Sequence, residues 1–240
     1  MTIFGVLVSV TLRALLGRRR TILLLLLAGV PVLVGLLVRA NGSTSADVAP
    51  TLDGLVIRIV LPLVALVFGT GALGSELEDG TAVYVLTKPI RRSTIVVAKV
   101  LVAGTLTAAM LVPSTVIAGL LLEPPGVALT AIAIPIAVGV LVGSYVYVAI
   151  FVALSVITSR GLLIGLGYAL IWEGLLAGLL PGSQVFSVRE YVRGIAHLIS
   201  SSSIESVVGD AAPIYAAVAL AVAMIVGSIR LAAYEVRGAD

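Results

Sequence analysis

Glu76-Leu77-Glu78-Asp79-Gly80-Thr81-Ala82-Val83-Tyr84-Val85-Leu86-Thr87-Lys88-Pro89-Ile90-Arg91-Arg92, followed by Lys99, is a polar island in a chain that is otherwise almost all hydrocarbon. Seven charged side chains, Glu76, Glu78, Asp79, Lys88, Arg91, Arg92 and Lys99, gather between two long apolar runs. Charge is costly inside lipid, so the island must face water while its flanks cross a bilayer.

Composition agrees. Hydrophobic residues make up 60% of the 240 and charged residues 11%, against roughly 25% charged in soluble domains. With no cysteine and one histidine, His197, disulfides and thiolate metal sites are excluded and a histidine cluster has no material. No basic face with interleaved aromatics is present, so nucleic acid is not an expected partner. The two lysines, Lys88 and Lys99, lie outside any Gly-x-x-x-x-Gly-Lys-Ser/Thr loop, so a P-loop ATPase is excluded on this chain. His197, Ser200–Ser203 and Asp210 lack the Gly-x-Ser-x-Gly elbow of a serine hydrolase and read as a serine-rich linker.

A helix rises about 1.5 Å per residue, so about 30 Å of hydrocarbon takes roughly 20 residues. Six segments qualify: Thr21–Val38, Val56–Gly74, Val100–Leu122, one long helix within Val127–Ser159, Gly161–Leu180 and Ala211–Ile229. The expected fold is all-α and integral to the membrane, one polytopic domain over residues 1–240. Residues 1–20 form an interfacial helix. Residues 75–99 form a cytoplasmic loop between helices two and three. Residues 181–210 form an outer segment with an amphipathic helix between helices five and six. There, Ser187-Val188-Arg189-Glu190 has the form of a capping box. Behind it Val188, Tyr191, Val192, Ile195, Leu198 and Ile199 make an apolar stripe opposite Arg189, Arg193 and His197.

Basic residues set the sidedness. With six spans, Arg13, Arg18, Arg19, Arg20, Lys88, Arg91, Arg92, Lys99, Arg160, Arg230 and Arg237 share one side, and Arg39, Arg58, Arg189 and Arg193 the other. That split places both termini and the island in the cytoplasm of a multi-pass cell-membrane protein. Arg58 lies near the outer end of span two, where it can snorkel.

The island's order carries more than its charge. Acids at Glu76, Glu78 and Asp79 precede Gly80-Thr81, an apolar Ala82–Leu86 stretch, then Lys88-Pro89 and Arg91-Arg92. A short helix with acids at one end and an apolar body suits docking into a partner's groove, and Pro89 turns the chain back. The stretch resembles the first cytoplasmic loop of type-2 permease subunits of ABC transporters, with its Glu-x-Glu-x-Gly-Thr start and Leu-Thr-x-Pro-Ile-x-Arg turn. Together with the N-terminal helix, the spans and the outer helix, that resemblance extends over essentially the whole chain.

The resemblance implies a non-enzymatic permease subunit of an ATP-driven transporter, in a mostly exporting family. It would form its pathway as a homodimer or with a related permease. Glu76, Glu78, Asp79, Gly80, Thr81, Lys88, Pro89, Arg91 and Arg92 would dock and couple a separate ABC ATPase. That partner would bind ATP and Mg²⁺, leaving no cofactor on this chain. Alternatives from the residues are a secondary transporter or channel without an ATPase, and a membrane anchor or sensor. Glu173, the one acid within a span, is a candidate intramembrane polar site, with hydrogen bonding to a neighbouring helix as the plainer role. Gly139/Gly143, Gly161/Gly165 and Gly174/Gly178 fit small-xxx-small helix packing.

Overall fold

The computed structural model describes residues 3–42, 45–78, 91–122, 132–177, 182–201 and 204–233. Among them there is no strand, as expected where lipid leaves the backbone no solvent partner and each helix must satisfy itself.

The N-terminal helix α1 (Ile3–Leu15) buries Leu7, Thr11 and Leu15, one residue per turn on a single face. It packs on helices later in the chain and stops before Gly17. Arg18-Arg19-Arg20 belong to the next helix, α2 (Arg18–Ala40), and not to the interfacial one. The second apolar stretch starts earlier than Val56. α3 (Ser45–Leu52), a π-helical segment (Asp53–Val60) and α4 (Leu61–Glu78) run on as one rod, the junction residues Leu52 and Leu61 both being helical. Then follow α5 (Arg92–Leu122), α6 (Ala133–Ile157) and α7 (Gly161–Gly167), the last continuing as a second π-helical segment, Tyr168–Leu176. α8 (Val188–Ile199) and α9 (Ala212–Ala232) complete the described helices.

Among the described residues five stretches are long and apolar enough to cross a membrane: Thr21–Ala40, Asp47–Gly74, Arg92–Leu122, Ala133–Ile157 and Gly209–Ala232. The expected span Gly161–Leu180 is a shorter apolar helix, Gly161–Leu176. Beyond it, residues 178–181 lie outside the described residues. The described part of the stretch Val127–Ser159 holds one helix, with Pro135 in its first turn, where a missing N–H breaks no helical bond.

α6 is the central pillar: α4, α5, α7, α8 and α9 all pack on it, while α2 reaches the bundle mainly through α5. Glycines set the close approaches. A Cβ at Gly139 would stand 2.5 Å from the carbonyl oxygen of Val192, and one at Gly143 would overlap the Val192 side chain. Gly161 lies against Ser155, and Gly165 against Leu66 and Phe151. Gly174 meets nothing closer than 3.7 Å, and Gly178 is outside the described residues.

α8 departs from expectation. Its Val188, Tyr191, Val192 and Ile195 are buried, but Leu198 and Ile199 are exposed. Because Val192 seats on Gly139 and Gly143, six and ten residues into α6, the helix is set into the bundle about 9–15 Å from the start of α6.

Buried hydroxyls on the spans mostly turn back on their own helix. Thr70, Thr107, Thr115 and Ser144 each donate to the carbonyl four residues earlier, at 2.7–2.8 Å. Such bonds satisfy the side chain locally and leave little polar chemistry between helices.

Candidate functional site

The island rises from the ends of two helices. α4 carries the chain out as far as Glu78, Arg91 stands exposed before α5, and Arg92 opens that helix. Asp79, Gly80, Thr81, Lys88 and Pro89 lie outside the described residues. Lys99 is not part of a loop. It sits two turns inside α5, 2% exposed, and its ammonium is hydrogen-bonded to a carboxylate oxygen of Glu76 on α4. Glu76 is thus engaged inside the protein, and the pair ties together the two helices that carry the island. The reason is physical: an ammonium taken out of water this completely needs a counter-charge.

About 30–35 Å along the α3–α4 rod from Glu76 lies a second polar cluster, built around α8. Glu173, 1% exposed in the π-helical segment after α7, accepts from the Ser187 hydroxyl at 2.5 Å, the Val188 amide at 2.8 Å and the Tyr168 hydroxyl at 3.1 Å. The first amides of a helix lack partners within it and favour a negative charge beside them. Here an acid from another element caps α8, and the expected capping box does not form. Ser187 spends its hydroxyl on Glu173 and not on its own helix, and Glu190 turns to Arg193 at 2.7 Å.

Asp53, at the start of the first π-helical segment, faces the polar side of α8. It accepts from Arg189 at 2.6 Å and stands 3.5 Å from Arg193 Nε. Glu190 and Arg193 form the adjoining pair. The two arginines are one turn apart, so a single carboxylate can address both. His197 Nδ1 is 3.1 Å from the Ile204 carbonyl, within the α8–α9 connection.

Between these clusters Arg58 donates to the Gly174 carbonyl, joining one π-helical segment to the other. A π-turn shifts the bonding ladder by one residue, and Arg58 takes up a carbonyl of that segment. Among the described residues no three His, Asp or Glu side chains gather as a metal-binding set.

The sequence pointed to Glu173 and to the island. Asp53, the Glu76–Lys99 pairing and the Arg58–Gly174 bridge were missed. An Arg pair at helical spacing on α8 was the available hint that an acid must lie opposite, but Asp53 and Arg189 are 136 residues apart, and nothing local joins them.

No curated protein matches the chain. The family described as ABC-2 family transporter protein matches residues 6–234, reaching from within α1 through the end of α9 and so including the helices around both clusters. The chain is a member of the ABC-2 family, whose proteins form the membrane subunit of an ABC transporter.

Proposed function

We propose that this chain is the permease subunit of an ATP-driven ABC exporter, six spans with both termini cytoplasmic, forming its pathway with a second copy or a related permease. The ATPase subunit, which binds ATP and Mg²⁺, docks on the island. Glu78, Asp79, Gly80, Thr81, Lys88, Pro89, Arg91 and Arg92 contribute the docking surface, and Glu76 braces it.

The observation that carries this reading is the buried Glu76–Lys99 pair. It locks the two stems of the island, so a partner pushing on the island moves α4 and α5 together. Both helices pack on α6, and α6 seats α8 through Gly139 and Gly143. Motion at the island therefore has a continuous packed route to the far cluster.

Charge reversal at Glu78 and Asp79, with Glu76 left intact, tests the docking. Losing a hydrogen-bonded interfacial charge pair costs about 2–5 kcal/mol, so recovery of the ATPase in a pull-down should fall roughly 30-fold or more. Unchanged recovery together with unchanged coupled transport would remove the island from the mechanism. Sidedness is tested separately. The chain has no cysteine, so single cysteines at Gly42, Gly126 and Ser201 should react with an impermeant reagent outside, and those at Thr2, Thr87 and Ala239 should not.

A further inference from the structure

Arg58 stands deeper in its apolar stretch than the other exposed cations of such stretches, Arg39 and Arg230, which lie within two residues of the ends of theirs. It lies within the apolar stretch Asp47–Gly74, about 7 Å along the rod from Asp53 toward the membrane interior, yet its side chain is exposed. Lys99, the other cation held deep among the helices, is closed off and matched to Glu76. Among the described residues Arg58 has no ion-pair partner. Its hydrogen-bond acceptor is a neutral carbonyl, that of Gly174.

A guanidinium carries five N–H donors in a rigid fork, so one bond to Gly174 fixes its position and leaves the rest of the fork available. The surroundings are hydrocarbon. Ile59, next to Arg58, is 44% exposed, and Ile171 and Leu175, which flank Gly174, are each 57% exposed. A cation held in place on an apolar, membrane-depth surface without a matching acid is costly unless something anionic reaches it. Arg pairs especially well with phosphate, through two parallel hydrogen bonds.

We propose that Arg58, pinned to the Gly174 carbonyl where the two π-helical segments meet, binds the phosphate of an anionic phospholipid in the leaflet on the Asp53 side. Its acyl chains lie along Ile59, Ile171 and Leu175. The site rests on the membrane-spanning placement of Asp47–Gly74 and is independent of ATPase docking. The π-helical geometry gives the site its position: without the Gly174 tether, Arg58 is free to snorkel out to water.

The test uses the full chain in nanodiscs containing spin-labelled phosphatidylglycerol or phosphatidylcholine, reading the motionally restricted lipid by electron paramagnetic resonance. The native protein should retain phosphatidylglycerol over phosphatidylcholine by about five- to tenfold, with the preference shrinking as salt rises. R58Q should abolish the preference, R58K should keep part of it, and R39Q, at the end of α2, should leave it unchanged. Should R58Q fail to fold, the native preference and its retention in R58K still decide the matter. Equal retention of both lipids by the native protein, or a preference that survives in R58Q, would overturn the proposal. Displacement of phosphatidylglycerol by excess inorganic phosphate would overturn the lipid assignment in favour of a free oxyanion. If R58Q changes the oligomeric state but not the lipid preference, Arg58 is a subunit contact and the proposal fails.

Discussion

At the island end one ion pair, Glu76 with Lys99, joins α4 and α5, consecutive helices whose paired residues are 23 apart in sequence. At the opposite end Asp53 and Glu173, from two other elements, together hold α8, and Asp53 meets its partner Arg189 across 136 residues of sequence. Among the described residues the island end is a brace: Lys99, 2% exposed, held against Glu76, 16% exposed. The far end is a distributed seat, in which a cap, two arginine contacts and a glycine-lined groove each contribute part. A brace fails when one side chain goes. A seat loosens by degrees.

The contrast can be broken most directly at Lys99. Lys99→Ala removes the buried cation that answers Glu76, and losing one partner of a buried pair costs about 3–5 kcal/mol. The unfolding midpoint in detergent should drop sharply. The double change Lys99→Met with Glu76→Gln should recover most of it. Equal loss in the double variant would mean the pair is not a brace.

Next in size is Glu173→Ala, which leaves the Val188 amide and two hydroxyls without their buried acceptor, a cost of about 2–3 kcal/mol. Its effect should be local: hydrogen exchange should accelerate in the first turn of α8 while α4 and α5 stay protected. Glu173→Gln, which keeps an acceptor, should be much milder. A global destabilisation as large as that of Lys99→Ala would erase the distinction between the two ends.

Gly143→Ala places a methyl against the Val192 side chain, and overpacking of this kind costs about 1–3 kcal/mol. Gly174→Ala, with no neighbour closer than 3.7 Å, should be close to neutral as a packing change. Comparing the two by thermal unfolding separates a seating glycine from one that merely shares the same spacing. Beside that near-neutral control, the smallest destabilisation is expected from Asp53→Asn. Its partners Arg189 and Arg193 keep partial access to water, with side chains 17% and 23% exposed. Loss of the ion pairs should cost about 1 kcal/mol and should shrink further in high salt.

Legibility followed the range of the interaction. The helices were readable because hydrocarbon runs bounded by charge must span, and α6 was recognised as one helix because its proline falls in the first turn. The fifth apolar run was read to Leu180, yet the described helix there is the shorter Gly161–Leu176. Hydropathy does not register a π-helical segment or a buried acid that turns sideways to cap another helix. The capping box around Ser187 and Glu190 matched a local pattern. In the folded chain a stronger, non-local acceptor, Glu173, displaces it. The apolar stripe on α8 was correct over its first two turns, but whether it faced lipid or the interior depended on the groove left by Gly139 and Gly143.

By itself the sequence determined that this is a helical membrane chain, where its charge collects, and that no nucleotide loop is present, because those properties follow from composition and spacing along a single helix. Only the tertiary structure decided that Lys99 answers Glu76, that Glu173 caps α8, and that Asp53 gathers two arginines. The apolar medium lets no buried charge stand alone, but it does not say which opposite charge must come to meet it. That choice is made when helices distant in sequence pack at glycine-sized separations.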